Sequence, residues 1–392
     1  MIVARGVAGR RLQVVNTGYA PSAGLVKGVV IDLDEAAACI RKAADEAELK
    51  SRSSVDWVTL GISGDHVQSF NCHGAVQIEG KRQEVTQEHM AQVIKAAQSF
   101  PLPPLREIIH ILPQEFLLDN RGDIRNPVGL TGSRLDANVH IVTCESTLVQ
   151  NLISAVNRAE MRVKRVVLQQ LASAEAVLTA DERELGVAVI DIGAGTTDIA
   201  VYVRNAIFFT SVIPVGGAHF TRDLAVGVRT PIEDAEAVKK QSGTVLMDSI
   251  ADDESVEVQG MGSGNPKVIP KRVACSFLRD RALELLELVR AQLVESGHFG
   301  HIMAGAVLTG GGSLLNGIVE LAEEVLGIPV RRGQPAGMDG LTADLAHPVY
   351  AASVGLALLG IQDGVDRNGH NGNSGAQPRL FGRLLSWIGN QD

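Results

Sequence analysis

The chain has 392 residues, of which 45% are hydrophobic and 21% are charged, values typical of a globular protein with two or three domains. A net charge of −9 argues against a general nucleic-acid-binding protein, because phosphate contacts need a basic face. No run of about 18 apolar residues predicts a membrane span, and the N-terminus does not have the pattern of a signal peptide. The four cysteines form no CxxC pair, which favours reduced, buried thiols in the cytosol.

Residues 1–62 predict the first part of an α/β half. Met1–Val7 and Leu12–Thr17 flank a glycine-containing turn and predict a β-hairpin. Asp34 is the expected N-cap of a helix that runs to Leu49. Trp57–Ile62 then predict a strand.

Residues 63–143 differ in character and predict an inserted α+β subdomain. Short apolar stretches alternate with proline-containing loops. One helix there has an apolar face at helical spacing, formed by Met90, Val93, Ile94 and Ala97. Residues 144–185 return to the helix–strand–helix pattern of the first half.

A similar pattern begins again at residues 186–230, which predict a second half. Three strands are expected at Val187–Ile192, Ile199–Val203 and Ala206–Ile213, with a helix from Gly217. Residues 231–297 form a variable block, and residues 298–360 resume strand and helix, including a helix at Leu314–Val325. A meander followed by helices thus occurs twice, which predicts an internal duplication.

The C-terminal segment has a different composition. Residues 361–378 are rich in Gly, Asn, Asp and Ser and predict a flexible linker. Residues 379–389 predict a short amphipathic helix, whose large apolar side chains fall within an arc of roughly 160°. Its expected membrane-contacting residues are Leu380, Phe381, Arg383, Leu384, Leu385, Trp387 and Ile388. This pattern is typical of an interfacial anchor, although a helix docked on the protein's own core or in a partner's groove has the same pattern.

The first motif with chemical meaning is Val189–Val201. A buried strand ends in Asp191, and small residues then allow a tight turn that brings backbone N–H groups against phosphate oxygens. Asp191 is also a candidate ligand for Mg²⁺, which prefers carboxylate oxygens and keeps much of its water. The expected phosphate-contacting residues are Gly193, Ala194, Gly195, Thr196 and Thr197. A small polar hairpin turn with no ligand is the alternative.

Two further motifs lie downstream. Three glycines between a strand and a helix permit close approach of an adenosine or α-phosphate group. They belong to the stretch Gly310, Gly311, Gly312 and Ser313. On another helix, Glu236 is placed to bind a ribose, and Lys239 and Lys240 to contact a base. A plain loop and a solvated charged face are the respective alternatives.

In this order and spacing, the three motifs resemble the phosphate, base and adenosine elements of the actin and heat-shock-chaperone ATPases. This resemblance implies an α/β, actin-like (ribonuclease H-like) two-domain ATPase fold, with ATP and Mg²⁺ as cofactors. Further stretches make nearly the whole chain similar to the bacterial cell-division FtsA family. They are Leu168–Leu178, Glu184–Gly186, Ile213–Gly217, Pro231–Gly243 and Ile109–Phe116. Gly216 and Gly217 thereby become cofactor-binding candidates.

The resemblance implies a cell-division adaptor that binds ATP, self-assembles and tethers FtsZ filaments to the cytoplasmic side of the inner membrane at the septum. The insertion corresponds to subdomain 1C, which is expected to contact other copies and later division proteins. Residues 231–297 correspond to subdomain 2B, which is expected to bind the acidic C-terminal peptide of the tubulin-like FtsZ. Lys267, Lys271 and Arg272 are the basic candidates there, and an exposed basic loop is the alternative.

Two departures from the family's pattern change the expected chemistry. Gln169 and Asp191 are the expected catalytic residues. Gln169 lies at the position of a water-orienting Gln or Glu, but Gln169-Gln170 replaces a frequent Glu-Pro, so at most slow ATPase activity is expected. The first of two phosphate loops is absent before Met1. Either the start codon is placed too late or half of the phosphate clamp is lost; we expect an in-frame strand and an Asp-x-Gly turn upstream.

Two other classes share the fold. A sugar kinase needs a catalytic acid and a sugar pocket, and has no use for a tethered apolar tail. A pilus-assembly actin homologue shares both the fold and the insertion, but a long linker with a terminal anchor is not expected for it. The C-terminal segment therefore favours the cell-division adaptor.

Overall fold

A computed structural model describes residues 1–7, 11–51, 54–80, 83–261 and 266–365. The strands in these ranges are β1 (Ile2–Val7), β2 (Arg11–Thr17), β3 (Leu25–Val26), β4 (Val29–Val30), β5 (Trp57–Ile62), β6 (Gln68–Gln77), β7 (Arg106–Leu118), β8 (Arg121–Ile124), β9 (Arg134–Glu145), β10 (Arg162–Leu168), β11 (Val187–Ile192), β12 (Thr197–Val203), β13 (Ala206–Ile213), β14 (Ser255–Gln259), β15 (Pro266–Pro270), β16 (Ala306–Thr309) and β17 (Val330–Arg332).

The α-helices of the described ranges cover the faces of the sheets. They are α1 (Leu33–Ser51), α2 (Gln87–Ala97), α3 (Ser146–Arg158), α4 (Gln169–Val177), α5 (Ala180–Leu185), α6 (Gly217–Val228), α7 (Ile232–Ser242), α8 (Lys271–Glu295), α9 (Ile318–Leu326) and α10 (Ala351–Val365). None of these helices is long and apolar enough to cross a membrane.

The second half is built on a five-stranded sheet of order β13-β12-β11-β16-β17. β11, β12 and β13 form an antiparallel meander, while β16 runs parallel to β11 and β17 runs parallel to β16. Every residue of β11 is buried, because one face packs in the core that α6 and α8 cover and the other packs toward α4. Burial on both faces explains why the sequence of β11 is continuously apolar up to Asp191.

The first half has the same order of hairpin, helix and parallel pair, arranged as two separate two-stranded sheets. β1 pairs with β2 in antiparallel orientation, and β5 pairs with β10 in parallel orientation. Helices α1 and α3 pack together on one side of these strands, and α10 contacts both β1 and β5 from the other. This repeats the second half without a strand equivalent to β11 among the described residues.

The inserted subdomain is an antiparallel sheet of order β6-β9-β7-β8 with helix α2 packed on it. The predicted apolar face of α2 is buried in a separate hydrophobic core, which confirms the α+β insertion. Its sheet meets β13 of the second half through polar contacts. His140 Nε2 lies 3.0 Å from Thr210 Oγ1, and the Ser69 hydroxyl donates to the Thr210 carbonyl over 2.8 Å. Burial lowers the pKa of His140 to about 4, so this contact is made by a neutral imidazole.

Asp32, and not the predicted Asp34, caps the first helix. Its Oδ1 accepts hydrogen bonds from the backbone N–H groups of Asp34 and Glu35, at 3.0 and 2.9 Å. α1 begins at Leu33, so Asp32 occupies the N-cap position and Asp34 lies inside the first turn. Both acids favour a helix N-terminus, and the sequence pattern alone does not separate them.

Two other predicted boundaries are wrong. α9 begins at Ile318 and not at Leu314, because Gly317 has a φ of 81° and separates the helix from a preceding 3₁₀ turn. α10 runs to Val365, into the segment predicted as a linker from residue 361, since a helix that has formed adds residues at low cost. The rest of that segment and residues 379–389 lie outside the described residues.

Candidate functional site

The candidate site lies at the carboxyl ends of the parallel strands β11 and β16, the edge of an α/β sheet where ligands generally bind. Asp191 of β11 is the register partner of Thr309 on β16. The turn after β11 and the glycine stretch after β16 therefore start side by side. The structure thus brings together the two glycine-containing motifs that are more than 100 residues apart in the sequence.

A pair of buried carboxylates forms the floor of the site. Asp191 on β11 and Asp198 on β12 are direct register partners, and only 7% and 2% of their surfaces are exposed. The Ser173 hydroxyl of α4 donates to Asp191 Oδ2 over 2.5 Å. The Ser63 hydroxyl, which follows β5 of the first half, donates to Asp198 Oδ1 over 2.5 Å. Both halves of the molecule therefore contribute to holding the acid pair.

The electrostatics of this pair suit a divalent cation. Burial raises the pKa of Asp191, and burial together with the charge of Asp191 raises the pKa of Asp198 to about 7. Within the described part of the chain, neither carboxylate has a salt bridge to a lysine or arginine. Adjacent carboxylate oxygens with hydroxyl neighbours are the hard donors that Mg²⁺ prefers. The residues present therefore fit the ion that the sequence predicted at Asp191.

Gly310 permits the contact between the two glycine-containing motifs. Its φ of 78° lies in the left-handed region, and a methyl group at this position would lie 2.2 Å from Asp191 Oδ1. Ser313 is buried, and its hydroxyl donates to the Gly310 carbonyl over 2.7 Å. By contrast, Gly311 is exposed, and a methyl group there would meet only Val349, at 3.9 Å, so this position has room for a side chain.

The phosphate turn is tied to the start of helix α6. The Gly217 N–H donates to the Gly193 carbonyl and the Ala218 N–H to the Ala194 carbonyl, each over 2.8 Å. Gly216 immediately precedes α6 and packs against this turn. Ala194 is exposed at the tip of the turn. This arrangement places the N-terminus of α6 beside the turn, where its dipole favours an anion.

The hydroxyl groups of both threonines in the turn make contacts within the protein. Thr197 is fully buried and donates to the Val215 carbonyl over 2.8 Å. Thr196 is buried as well, and its Oγ1 lies 3.2 Å from both Asp198 Oδ2 and Ser63 Oγ. Gly195 lies against the first half, because a methyl group there would lie 3.2 Å from the Cα of Lys27. The two threonines thus organise the acid pair and the turn itself.

Helix α7 brings Glu236 and Lys239 to the rim of the site. Lys239 Nζ donates to the Gly217 carbonyl over 3.0 Å and lies 2.6 Å from Glu236 Oε2. Burial alone would raise the pKa of Glu236, but hydrogen bonds from Lys239 and Thr221 outweigh it and lower the pKa to about 2. Lys240 is largely exposed and reaches the site only through its 3.1 Å contact with Glu236.

Gln169 begins helix α4, one turn before Ser173 and on the same helical face. It is half-buried beside Gly61, where a methyl group would lie 3.3 Å from the Gln169 Cγ. The next residue, Gln170, is fully buried, and its amide atoms have no hydrogen-bond partner in the described ranges. α4 therefore begins with two glutamines, one turn before the serine that contacts Asp191. The catalytic role of Gln169 stays a prediction.

Sequence reasoning missed four residues of the site: Asp198, Ser63, Ser173 and Lys27. Asp198 was detectable, because a turn centred between residues 194 and 195 places position 198 opposite position 191 in a hairpin. Ser63 and Lys27 come from the first half, and the sequence carries no local signal for their approach to the turn. Lys27 is exposed, has a φ of 49°, and lies with its backbone and Cγ beside Gly195.

The predicted partner-binding lysines and arginine lie around the β14–β15 hairpin, apart from this site. Lys271 pairs with Glu254 at 2.8 Å, and Lys267 donates to the Val228 carbonyl. Arg272 is exposed and donates to the Ile250 carbonyl over 2.8 Å. Exposed apolar side chains accompany them, with Val268 at 68% and Val273 at 48% exposure. The predicted membrane-contacting residues lie outside the described residues.

The raised pKa of Asp198 predicts a specific pH dependence of stability. Its ordinary pKa is near 3.8 and its folded value about 7, so between these values the folded state binds a proton that the unfolded state has released. Stability contributed by this group is therefore lost as the pH rises through that window. Asp198→Asn keeps the acceptor for Ser63 but does not titrate. In EDTA, the thermal midpoint of wild type relative to this variant should fall by at least about 2 °C between about pH 4.5 and pH 7.5.

Asp253→Asn, the same chemical change on an exposed loop, is the control and should leave the pH profile unchanged. Parallel profiles for wild type and Asp198→Asn would contradict the assignment of Asp198 as a buried acid that is protonated below neutral pH.

Two family models and a set of relatives match this chain. A family model described as cell division protein FtsA matches residues 188–355, and one described as the SHS2 domain inserted in FtsA matches residues 64–143. The chain is 38% identical to the cell division protein FtsA of Pseudomonas aeruginosa, over 99% of this chain and 94% of that protein.

Solved structures show the same fold at low sequence identity. The PilM–PilN type IV pilus biogenesis complex matches with a TM-score of 0.62 and 19% identity, covering 92% of this chain and 94% of that one. MreB5 of Spiroplasma citri bound to ADP matches with a TM-score of 0.52 and 16% identity, covering 95% and 96%. These matches show an actin-like fold, and the sequence identity to its relatives over nearly the full length shows that the chain belongs to the FtsA family of cell division proteins.

Proposed function

We propose that this member of the FtsA family binds ATP with Mg²⁺ between its two halves and uses the bound state to organise a membrane-attached division filament. The observation that carries the nucleotide proposal is the buried pair Asp191 and Asp198, which lies between two glycine-containing turns and has no cationic partner among the described residues. A Mg²⁺ ion and phosphate groups supply the charges that would balance such a site.

Each part of the site has a chemical task in this proposal. Asp191 and Asp198 would hold a Mg²⁺ ion, and the ion would neutralise phosphate charge. The backbone N–H groups of the turn at Ala194–Thr196 donate to phosphate oxygens, and the dipole of the adjacent helix α6 favours their negative charge. Glu236 and Lys239 contact the ribose and base, because they lie beside Gly217 at the rim. Gly310–Ser313 support the adenosine side.

We further propose that turnover is slow. A water-orienting residue must reach the terminal phosphate with a fixed side chain. Gln169 is half-buried at the start of α4 and lacks the charge of a carboxylate, so it orients water but does not act as a base at neutral pH. The acid pair is occupied in holding the cation. The bound nucleotide then serves as a lasting link between the two halves.

Gly311→Val tests the nucleotide proposal without disturbing the protein. A side chain at Gly311 projects into space bounded by Val349 at 3.9 Å, so it should obstruct the ligand and leave the fold intact. We expect the affinity for Mg²⁺-ATP, measured by equilibrium titration, to fall at least about tenfold, equivalent to about 1.4 kcal/mol.

The matched control is Gly300→Val, because Gly300 is an exposed glycine with no atom near its added methyl group and lies outside the site. Equal affinity of wild type and Gly311→Val, with unchanged thermal midpoints, would refute the site. Gly195→Val is less informative, since its methyl group would press on Lys27.

The β14–β15 surface is the proposed docking site for the acidic C-terminal peptide of FtsZ. Arg272, Lys267 and Lys271 provide positive charge there, and Val268 and Val273 provide exposed apolar surface. A short acidic peptide with apolar residues matches both features. All three cations make contacts within the protein, and Arg272 is the most accessible because its side chain is exposed while Lys267 and Lys271 are half-buried.

Charge reversal at Arg272 should weaken this binding and reduce its dependence on salt, because a long-range attraction is removed. We expect Arg272→Glu to lower the affinity for a fluorescently labelled FtsZ C-terminal peptide at least about threefold at low salt. Arg290→Glu is the control, since Arg290 is exposed on the same helix, about 27 Å farther along its axis. Equal losses for both variants would indicate a general charge effect, and no loss for Arg272→Glu would place the contact elsewhere.

We also propose that the amphipathic sequence at residues 379–389 attaches the protein to the cytoplasmic face of the membrane. Self-association and the recruitment of later division proteins are assigned to the inserted subdomain, whose independent core and sheet give it a separate surface. Six partly immersed apolar side chains contribute roughly 5–8 kcal/mol, less the cost of ordering a short helix. A single copy then binds reversibly, while a filament of many copies stays attached.

Liposome co-sedimentation tests the anchor. Trp387→Glu and Leu384→Glu place a charge on the apolar face and should release most of the protein from vesicles at physiological salt. Ser386→Glu makes the same change on the polar face and should release much less. Sedimentation of all these variants at the wild-type level would show that residues 379–389 are not the anchor.

A further inference from the structure

A short hairpin of the first half reaches the turn after β11. Its strands are β3 (Leu25–Val26) and β4 (Val29–Val30), which pair in antiparallel orientation, so Lys27 and Gly28 form a two-residue turn between them. Both turn residues have positive φ, 49° for Lys27 and 83° for Gly28. Such turns favour Asn-Gly or Asp-Gly, and lysine is an unusual first residue because its side chain disfavours this conformation. A disfavoured backbone conformation at an uncommon residue is a reason to look for a function.

The tip of this hairpin is held against the acid-pair site at two points. A methyl group on Gly28 would clash with the Ser63 carbonyl oxygen, and the hydroxyl of the same serine donates to Asp198. On the other side, a methyl group on Gly195 would lie 3.2 Å from the Cα and 3.5 Å from the Cγ of Lys27. The backbone of Lys27 is therefore fixed beside the site, and the first atoms of its side chain contact the turn after β11.

The charge of Lys27 acts on the start of helix α6. Burial lowers the pKa of His219, and the charge of Lys27 lowers it further, so the ammonium group lies within electrostatic reach of the first turn of α6. His219 Nδ1 accepts a hydrogen bond from the Gly216 N–H over 3.1 Å, and Gly216 packs against the turn after β11. The lysine of the first half and the N-terminus of α6 in the second half are thus the positive ends on either side of one turn.

Lys27 has no ion-pair partner within the described part of the chain, and its side chain is exposed. The other lysine beside the turn is already engaged, because Lys239 lies 2.6 Å from Glu236 and donates to the Gly217 carbonyl. An unpaired cation next to backbone N–H groups and a helix N-terminus favours an anion at this position.

We propose that Lys27 binds the terminal phosphate of ATP and thereby makes the protein favour ATP over ADP. The inference rests on the proposed nucleotide site and assigns the end of the phosphate chain within it. The groups proposed for the nucleoside, Glu236, Lys239 and Gly310–Ser313, all belong to the second half. Gly195 is the part of the turn that contacts the first half, so the last phosphate is the one within reach of Lys27. A lysine ammonium is a compact charge that suits a phosphate oxygen.

This contact would make the terminal phosphate a connection between the two halves. Lys27 belongs to the first half, while the turn after β11 and helix α6 belong to the second. ATP therefore receives charge from both halves, whereas ADP lacks the group that Lys27 binds. The residue would in this way let the protein distinguish the two nucleotides without a change in its adenosine contacts.

Lys27→Asn separates the charge from the backbone conformation. Asparagine tolerates positive φ better than lysine does, so the variant should keep or raise the thermal midpoint of the protein. In equilibrium titrations, we expect the affinity for Mg²⁺-ATP to fall at least about tenfold, equivalent to about 1.4 kcal/mol, and that for Mg²⁺-ADP to change less than about threefold. A residue that only supported the fold would instead lower the thermal midpoint and weaken both nucleotides alike.

Two further variants serve as controls. Lys27→Arg keeps the positive charge and should retain the affinity for Mg²⁺-ATP within about threefold of wild type. Lys95→Asn makes the same change as Lys27→Asn on an exposed residue of helix α2, in the inserted subdomain, and should leave both affinities unchanged.

The outcomes distinguish this assignment from the nucleotide site itself. Wild-type affinity for Mg²⁺-ATP in Lys27→Asn, equal losses for the two nucleotides, or a loss in Lys27→Arg as large as that in Lys27→Asn would overturn the role of Lys27 and leave the site in place. Absence of Mg²⁺-ATP binding by the wild-type protein would overturn the site and this assignment together.

Discussion

The position of β11 between an antiparallel and a parallel neighbour is the constraint on which the rest of the structure depends. Its pairing with β12 places Asp191 opposite Asp198, and its pairing with β16 places the turn after β11 beside Gly310. Helices cover both faces of the strand, so the two carboxylates are shielded from water. The same backbone geometry therefore sets both the shape of the site and its charge.

A buried acid pair is costly unless its charge is balanced, and the surrounding contacts show how the protein manages this cost. Hydroxyl groups of Ser173 and Ser63 donate to the two carboxylates, and the raised pKa of Asp198 allows it to hold a proton below neutral pH. Because Ser63 belongs to the first half and Asp198 to the second, any ion that balances the pair also affects the contact between the halves. This links the site's electrostatics to the arrangement of the whole molecule.

The two halves share an order of strands and helices but differ in how the described strands pair. The second half has five strands in one sheet, while the first half holds two separate two-stranded pairs among the described residues. Both sets of strands are flanked by helices on two faces.

Many elements were predictable because they depend on local patterns. β5, β11 and β13 begin and end where their apolar runs do, and the buried face of α2 follows from spacing alone. The errors lie at the ends of elements. Asp32 and Asp34 are both good caps, so the sequence did not show which of them begins α1. The end of α10 was placed too early, because the helix continues past the change in composition at residue 361.

The sequence by itself determined the strand–turn motifs, the apolar faces and the family resemblance, because these depend on residues close together in the chain. Only the tertiary structure decided that Ser63 and Lys27 reach the turn after β11, and that Lys239 approaches Gly217 while Lys240 does not. These features arise from contacts between segments far apart in the chain, whose register and packing no local pattern specifies.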